Sequence, residues 1–533
     1  MSKMRKAKKA SPRPNQEAIK AQWKAHKQAQ RELRQRQKAQ GFRPLPSPTL
    51  SNKKSPYQTV EEEKAARVDA TDQQLKVHRA LLPILLKRLS KIPDLRQPRK
   101  VRHKLTVLMI YGILTFVFQM TSRRDANRKM TLPQFEANLR LVFPDLEELP
   151  HNDTLGRVLS QIDVEEIEHA HLDMLEHLIR NKKFKRFLIS RCYPIAIDGT
   201  QKFVRDGLWD EECLERKVPS KEKEAKEPGQ KPAPEPAQEP VKQYYVNVLE
   251  SCLAFHNGMV IPLLSEVLSY NQGDSDRDKQ DCEQRAFKRL AQRLKKRFSH
   301  LPIMVLLDGL YANGPVMELC GQNNWDFMIV LQEGSLPKVW EEINGLKGLQ
   351  SQNRFHHKWG DRHQKFQWIK DIEYDYKDPA TGKNKTLKVH AVTCDESWEE
   401  IEDGSTQVVV KTARHAWLSD QPLNPNNVHE RCNLGARHRW GIEAGFLVAK
   451  HQGYQYEHCF SYDWKTMRGY HYLMRLGHAL NVLARYSYAM AKHLRIHGVR
   501  GLITFVRETL AGPWFSAEEL ARIATEPCQI RLE

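Results

Sequence analysis

The stretch LPIMVLLDGLYANG is almost unbroken in apolar residues from Leu301 to Leu307 and then stops at Asp308-Gly309. A run of that kind suits a strand buried on both faces, so the sheet it belongs to must carry packed layers on either side. A shorter run, ISRCYPIAIDG, stops in the same way at Asp198-Gly199-Thr200 and reads as a strand running into a turn. Each run delivers an aspartate at the end of an apolar segment. The chain must therefore build a layered α/β core that raises two carboxylates from its interior.

The elements around these runs supply the layers. Residues 1–75 are rich in Lys, Arg, Gln and Pro, with Trp23 and Leu33 nearly alone as apolar side chains over 16–40. They read as a basic, largely disordered tail, either a solvated arm or an electrostatic grip on DNA. From 76 to 185 the apolar spacing is helical, as in LKVHRALLPILLKRLSKI and in HNDTLGRVLSQID, where Asn152 or Asp153 is a good helix cap. This region is expected to be a helical domain able to grip DNA. Strand patterns follow in QYYVNVLESCLAFHNG and MVIPLLSEVLS, joined at His256-Asn257-Gly258, a hairpin signal because Asn and Gly tolerate positive φ. The Pro-, Glu- and Lys-rich segment 216–241 is expected to be an extended or disordered loop. A helix at 281–298, the strand ending at Asp308, a short helix and the strand WDFMIVL come next. Residues 333–435 hold strand-like runs separated by Gly, Pro, Asn and Asp and read as a β-rich insertion. Helical pattern returns over 436–495 and continues in a C-terminal helical segment, 496–533. The order fits a ribonuclease H-like mixed sheet (186–332 and 436–495) with the β-rich insertion before its last helix and a helical N-terminal domain. In that fold the first and fourth strands are neighbours, which brings Asp198 and Asp308 together.

Charge narrows the partner. With 85 Lys and Arg against 65 Asp and Glu the formal net charge is +20, which favours a polyanion, most commonly nucleic acid. The nine cysteines include no C-x-x-C pair, which argues against a zinc ribbon or a disulfide framework and fits thiols in a reducing cytoplasm. The most hydrophobic segment, 105–118, falls short of the roughly 20 residues that span a bilayer, so it reads as a buried helix. The basic N-terminus has no apolar stretch of the secretory kind.

Glu443, in RHRWGIEAGFLVAK, lies on a helical pattern with Arg439 one turn before and Lys450 about two turns after. Taken alone this stretch is a solvated, salt-bridged helix. With Asp198 and Asp308 it becomes a third carboxylate. Cutting a phosphodiester requires an activated hydroxyl and a stabilised leaving oxyanion, and two hard divalent cations held by carboxylate oxygens serve both ends.

These segments resemble bacterial insertion-sequence DDE transposases, whose third catalytic block carries Tyr-x2-Arg-x3-Glu-x6-Lys. Arg439, Glu443 and Lys450 match that spacing, while Ala436 occupies the tyrosine position. AIDGTQ is similar to the first block, LLDGLYANGP to the second, and LPHNDTLGRVLSQID to the helical segment that precedes the first in related transposases. The resemblance covers about residues 80–490. It implies that Asp198, Asp308 and Glu443 bind two Mg2+ ions, with Mn2+ able to substitute, and that metal-dependent strand cleavage is followed by strand transfer in cut-and-paste fashion. It further implies double-stranded DNA partners (terminal inverted repeats and target), a homodimer that joins two ends, and a bacterial cytoplasmic, nucleoid-associated location without a membrane. Arg437, Arg439 and Lys450 are then candidate DNA contacts. Trp359 and Trp368 are candidates for stacking on a flipped base, although a place in the β-domain core is the favoured reading of each. The stretch His356, His357 and His363 reads as a DNA-facing basic loop rather than a metal site. Competing expectations are a nuclease of the same fold without strand transfer, and a transposase-derived DNA-binding protein that has lost catalysis.

Overall fold

The computed structural model describes residues 16–42, 55–218, 241–272, 281–379 and 381–533. It is a mixed α/β protein. In chain order the elements are α1 (Gln16–Ala39), α2 (Val60–Leu89), α3 (Leu105–Val117), α4 (Arg123–Met130), α5 (Pro133–Val142), α6 (Asn152–Leu159) and α7 (Glu165–Arg180). Strands β1 (Tyr193–Arg205), β2 (Leu214–Val218), β3 (Val241–Ala254) and β4 (Val260–Val267) follow. Next come α8 (Glu283–Arg297), β5 (Ile303–Leu307), α9 (Gly314–Gln322), β6 (Asp326–Val330) and α10 (Pro337–Leu349). Strands β7 (Arg354–Trp359), β8 (Arg362–Lys377), β9 (Asn384–Ile401) and β10 (Val408–Ser419) precede α11 (Gly441–His451), α12 (Trp464–Arg485), α13 (Ala491–Ala511) and α14 (Ala517–Thr525). Two compact units result. Val330–His429 and the N-terminal segment with α1 form one, and Leu50–Ile329 with Glu430–Glu533 the other.

In the larger unit the strand order is β2-β3-β1-β5-β6, with β4 also paired to β3. β1 is antiparallel to β3 and parallel to β5, and β5 is parallel to β6. All five residues of β5 are buried, as its apolar run requires. The β3–β4 hairpin closes at Asn257-Gly258, where Gly258 has φ of +87° and Asn257 accepts from the Met259 amide at 3.1 Å. Two expectations are corrected at the strand level. β1 does not end in a turn at Asp198-Gly199 but continues to Arg205, because its antiparallel pairing with β3 persists through both residues. Of the segment 216–241, residues 216–218 belong to β2 and Val241 to β3, while 219–240 lie outside the described residues.

The helical region and the sheet belong to this one unit, so 76–185 is not a separate body. The reason is α12. This helix from the C-terminal part of the chain is buried along nearly its whole length and packs on α2, α3, α6, α7 and β4. α3 is buried at every position but one and is thus a core helix. No helix among the described residues is long and apolar enough to cross a membrane. α12 is also pinned to the sheet by a polar network around Glu250 of β3. The Glu250 carboxylate accepts from Tyr456 Oη at 2.9 Å and Ser265 Oγ at 2.7 Å, and Arg475 of α12 pairs with it at 3.2 Å.

The smaller unit is an antiparallel sheet in the order β10-β9-β8-β7, with α10 packed on β8. α1 also belongs to it, so the expectation of a tail fails for 16–39, while 1–15 and 43–54 lie outside the described residues. With Leu33 as its one buried side chain, α1 docks on β9 through polar contacts. Gln22 donates to the Gly404 carbonyl at 2.6 Å, and Arg36 pairs with Glu399 at 2.8 Å. His356 and His357 lie in β7 and His363 in β8, so they stand on strands and do not form a loop.

Candidate active site

Asp198 sits two residues beyond Ala196, the last residue of β1 paired with β5, while its other edge stays bonded to β3. Asp308 directly follows β5 and caps a short helical turn, its Oδ1 accepting from the Leu310 amide at 3.0 Å. The parallel pair therefore opens at the point where both carboxylates emerge. Glu443 arrives from α11, in the helix's first turn, where the dipole favours a negative charge. Gly441 and Gly445 allow α11 to lie close on the β3–β4 hairpin, since a Cβ at Gly441 would stand 3.0 Å from Val260 Cγ2. From there the charge of Glu443 reaches Asp198 of β1.

Arg439 joins two of the three acids. Its guanidinium lies 3.6 Å from Asp198 Oδ2 and 3.0 Å from Glu443 Oε1, and the residue is only 5% exposed. The structure thus places this guanidinium, expected to contact DNA, between the Asp198 and Glu443 carboxylates. Burial pushes the Asp198 carboxyl up to about 6 against the pull of Arg439, with the charges of Asp308 and Glu443 adding to the rise. One guanidinium leaves three carboxylates under-compensated.

Two residues without any spacing signal in the sequence join this group. Glu283, first in α8, packs its carboxylate against Gly199, so that any Cβ there would collide with it. Burial raises the Glu283 carboxyl, and the charge of Asp308 raises it further. Tyr311, in the turn after Asp308, is fully buried with its ring 5.1 Å from that of Phe287, and its hydroxyl has no hydrogen-bond partner among the described residues. Burial raises this hydroxyl well above its ordinary value, and the charges of Glu283, Asp308 and Asp198 reach it as well. The tyrosine is legible in the sequence as part of LLDGLYANGP, but its isolation is a product of packing.

The remaining candidates lie elsewhere. Lys450 pairs with Glu457 at 3.0 Å, and Arg437 donates through Nε to Asn433 at 3.0 Å. Trp359 and Trp368 belong to the smaller unit. Trp368 is 2% exposed and stands in the β core of that unit. Trp359, at the end of β7, is half-buried.

Among the described residues no three His, Cys, Asp or Glu side chains stand arranged to hold a metal ion as they are. The fit rests instead on the chemistry of the group. All its donors are hard carboxylate oxygens, they carry more negative charge than Arg439 offsets, and an orphaned hydroxyl adjoins them.

A search of curated proteins returned no match to this chain. A family model described as DDE_Tnp_1-associated matches residues 86–175, from the end of α2 into α7. This span includes LPHNDTLGRVLSQID, the segment whose resemblance to transposases is visible in the sequence. Through residues 86–175 the chain is similar to a domain associated with DDE transposases, which points to a transposase-related family.

Proposed function

We propose that the chain is a DDE transposase of the Tyr-Arg-Glu-Lys signature type, with a ribonuclease H-like core, that cuts the ends of a bacterial insertion sequence and joins them to target DNA. The observation that carries this reading is the meeting of Asp198, Asp308 and Glu443, from two adjacent strands and a helix, within reach of one another's charge. The family match lends it independent support. The central β1, with β3 antiparallel on one side and β5 parallel on the other, supports the ribonuclease H-like assignment.

Asp198, Asp308 and Glu443 would hold two divalent ions, Mg2+ with Mn2+ able to substitute, which supply charge to the attacking and leaving oxygens of an in-line displacement. The protein's own groups do the rest. Arg439 orients the Asp198 and Glu443 carboxylates and relieves part of their repulsion. The buried Tyr311 hydroxyl is a free donor beside these carboxylates. Two copies of the chain would join two DNA ends, acting at the nucleoid. Of the two tryptophans, Trp359 retains accessible surface for stacking on a base.

The test is cleavage of a labelled duplex that carries the DNA flanking the coding sequence, with Mg2+ or chelator, by the natural chain and by Asp198→Asn, Asp308→Asn and Glu443→Gln. Loss of metal-dependent nicking in all three, with duplex binding retained, is expected, and a joined product identifies strand transfer. Cleavage without joining would make the protein a plain nuclease. Binding without cleavage by the natural chain would make it a DNA-binding derivative.

A further inference from the structure

The span that matches the family model lies in the helical region expected to grip DNA, and two neighbouring clefts open on its surface. One, of about 760 Å³, is lined by residues between Leu95 and Gln161, and the other, of about 750 Å³, by residues between Arg123 and Asp153. Both include His151, so they adjoin. Their walls are rich in cations. Arg102 and Arg123 are ion-paired, to Glu148 and Asp153. Lys100, Arg124, Arg128 and Arg157 are exposed and have no acidic partner among the described residues. Arg124 and Arg128 stand one turn apart on α4, and Arg157 lies on α6.

The scaffold beneath these cations is fixed. Asn127 of α4 hydrogen-bonds His151 at 2.8 Å and accepts from the Asn152 amide at 2.7 Å, which ties α4 to the start of α6. The guanidinium groups are thus presented from two helices that cannot easily part. Neither cleft is lined by Trp, Tyr or Phe. Single-stranded nucleic acid is held by stacking bases on aromatic rings, whereas a duplex backbone needs only cations and hydrogen-bond donors for its phosphates. Arginine is the side chain best shaped for phosphate.

We infer that the paired clefts at residues 95–161 are a binding site for the phosphate backbone of double-stranded DNA, with Lys100, Arg124, Arg128 and Arg157 as its phosphate contacts. The inference rests on DNA as the partner in the proposed function, but not on the carboxylate centre. The family-matched domain would then hold the duplex while another part of the protein acts on it.

The test is the salt dependence of duplex binding by the full chain, read by fluorescence anisotropy from about 50 to 200 mM salt. The natural chain is compared with a K100A/R124A/R128A/R157A variant, with a variant carrying lysine at the three arginine positions, and with Asp198→Ala. Four lost phosphate contacts should flatten the slope of log affinity against log salt by about 3 to 4, so that the alanine variant loses roughly 100-fold less affinity across that range. The lysine variant should keep most of the slope and shows that charge, not folding, is being read. Unchanged affinity and slope in the alanine variant, alongside DNA binding by the natural chain, would overturn the cleft assignment alone. Tighter binding of a single strand or of anionic vesicles than of duplex would also overturn it. Absence of any nucleic-acid binding by the natural chain would sink the proposed function with it, whereas normal binding but no cleavage by Asp198→Ala separates the two sites.

Discussion

Replacing Arg475 by methionine is expected to destabilise the larger unit by several kcal/mol. Glu250 and Arg475 are both buried, 3.2 Å apart, and burial alone would push the Glu250 carboxyl up. Burial is the largest single influence, but the Arg475 charge, the His471 hydrogen bond and charge and the Ser265 hydrogen bond together outweigh it and hold the carboxyl below the usual carboxylate range. Removing the guanidinium leaves a desolvated carboxylate with neutral donors from Tyr456 and Ser265 only partly in compensation. Breaking a buried pair in this manner costs about 3–5 kcal/mol, against about 1 kcal/mol for an ordinary hydrogen bond. Set beside a domain stability of about 5–15 kcal/mol, that loss brings the unit close to unfolding. Urea denaturation followed by tryptophan fluorescence reads the change, and hydrogen exchange of the β3 amides localises it. Because the cost is the stranded charge, Glu250→Gln in the Arg475→Met background should recover a large part of the loss. A loss below about 1 kcal/mol for Arg475→Met, or no recovery in the double variant, would mean that no charge is stranded when the guanidinium goes. The consequence reaches the candidate site, since Glu250 stands directly opposite Asp198 in the β1–β3 pairing.

Arg439→Ala should lower cleavage by at least about 100-fold, as expected when precise positioning is lost, while leaving duplex affinity within a few-fold, because the guanidinium is buried between Asp198 and Glu443. Weakened binding with normal cleavage would restore it to a DNA-contacting role. Gly199→Ala drives a methyl group into the Glu283 carboxylate and should cost about 1–3 kcal/mol in urea midpoint analysis. The cost should shrink in a Glu283→Ala background, and a tolerated Gly199→Ala would show that the contact yields easily. Stability should also fall with acid. Burial lowers His78 to about 4 and His171 to about 3, so below about 6.5 the unfolded chain binds protons that the folded chain refuses. Stability is then fully present above about pH 7 and declines from 6.5 toward 4, by up to about 1.4 kcal/mol per pH unit for each histidine. A flat urea midpoint between pH 7.5 and 5 would contradict this.

Sequence pattern was enough for the mixed α/β texture, the hairpin at Asn257-Gly258, the buried nature of 105–117 and the apolar strand that ends at Asp308. These are local properties: side-chain periodicity, run length and turn chemistry act within a few residues of one another. Asp198, Asp308 and Glu443 stood out as candidates for the same reason, as carboxylates at the edges of apolar or helical patterns. Long-range packing set where β1 stops, because its pairing with β3 carries it past the Asp-Gly turn signal to Arg205. It also made the helical region share one unit with the sheet, since α12 arrives from more than 280 residues beyond α7 to fill its centre. The docking of α1, which has almost no apolar face, depends on polar partners on β9 about 360 residues away. Arg439 looks like a DNA contact in one dimension and becomes a buried tie between carboxylates in three. Glu283 and the orphaned Tyr311 hydroxyl belong to the same class, because burial and the approach of charges are set by elements distant along the chain, which no local pattern encodes.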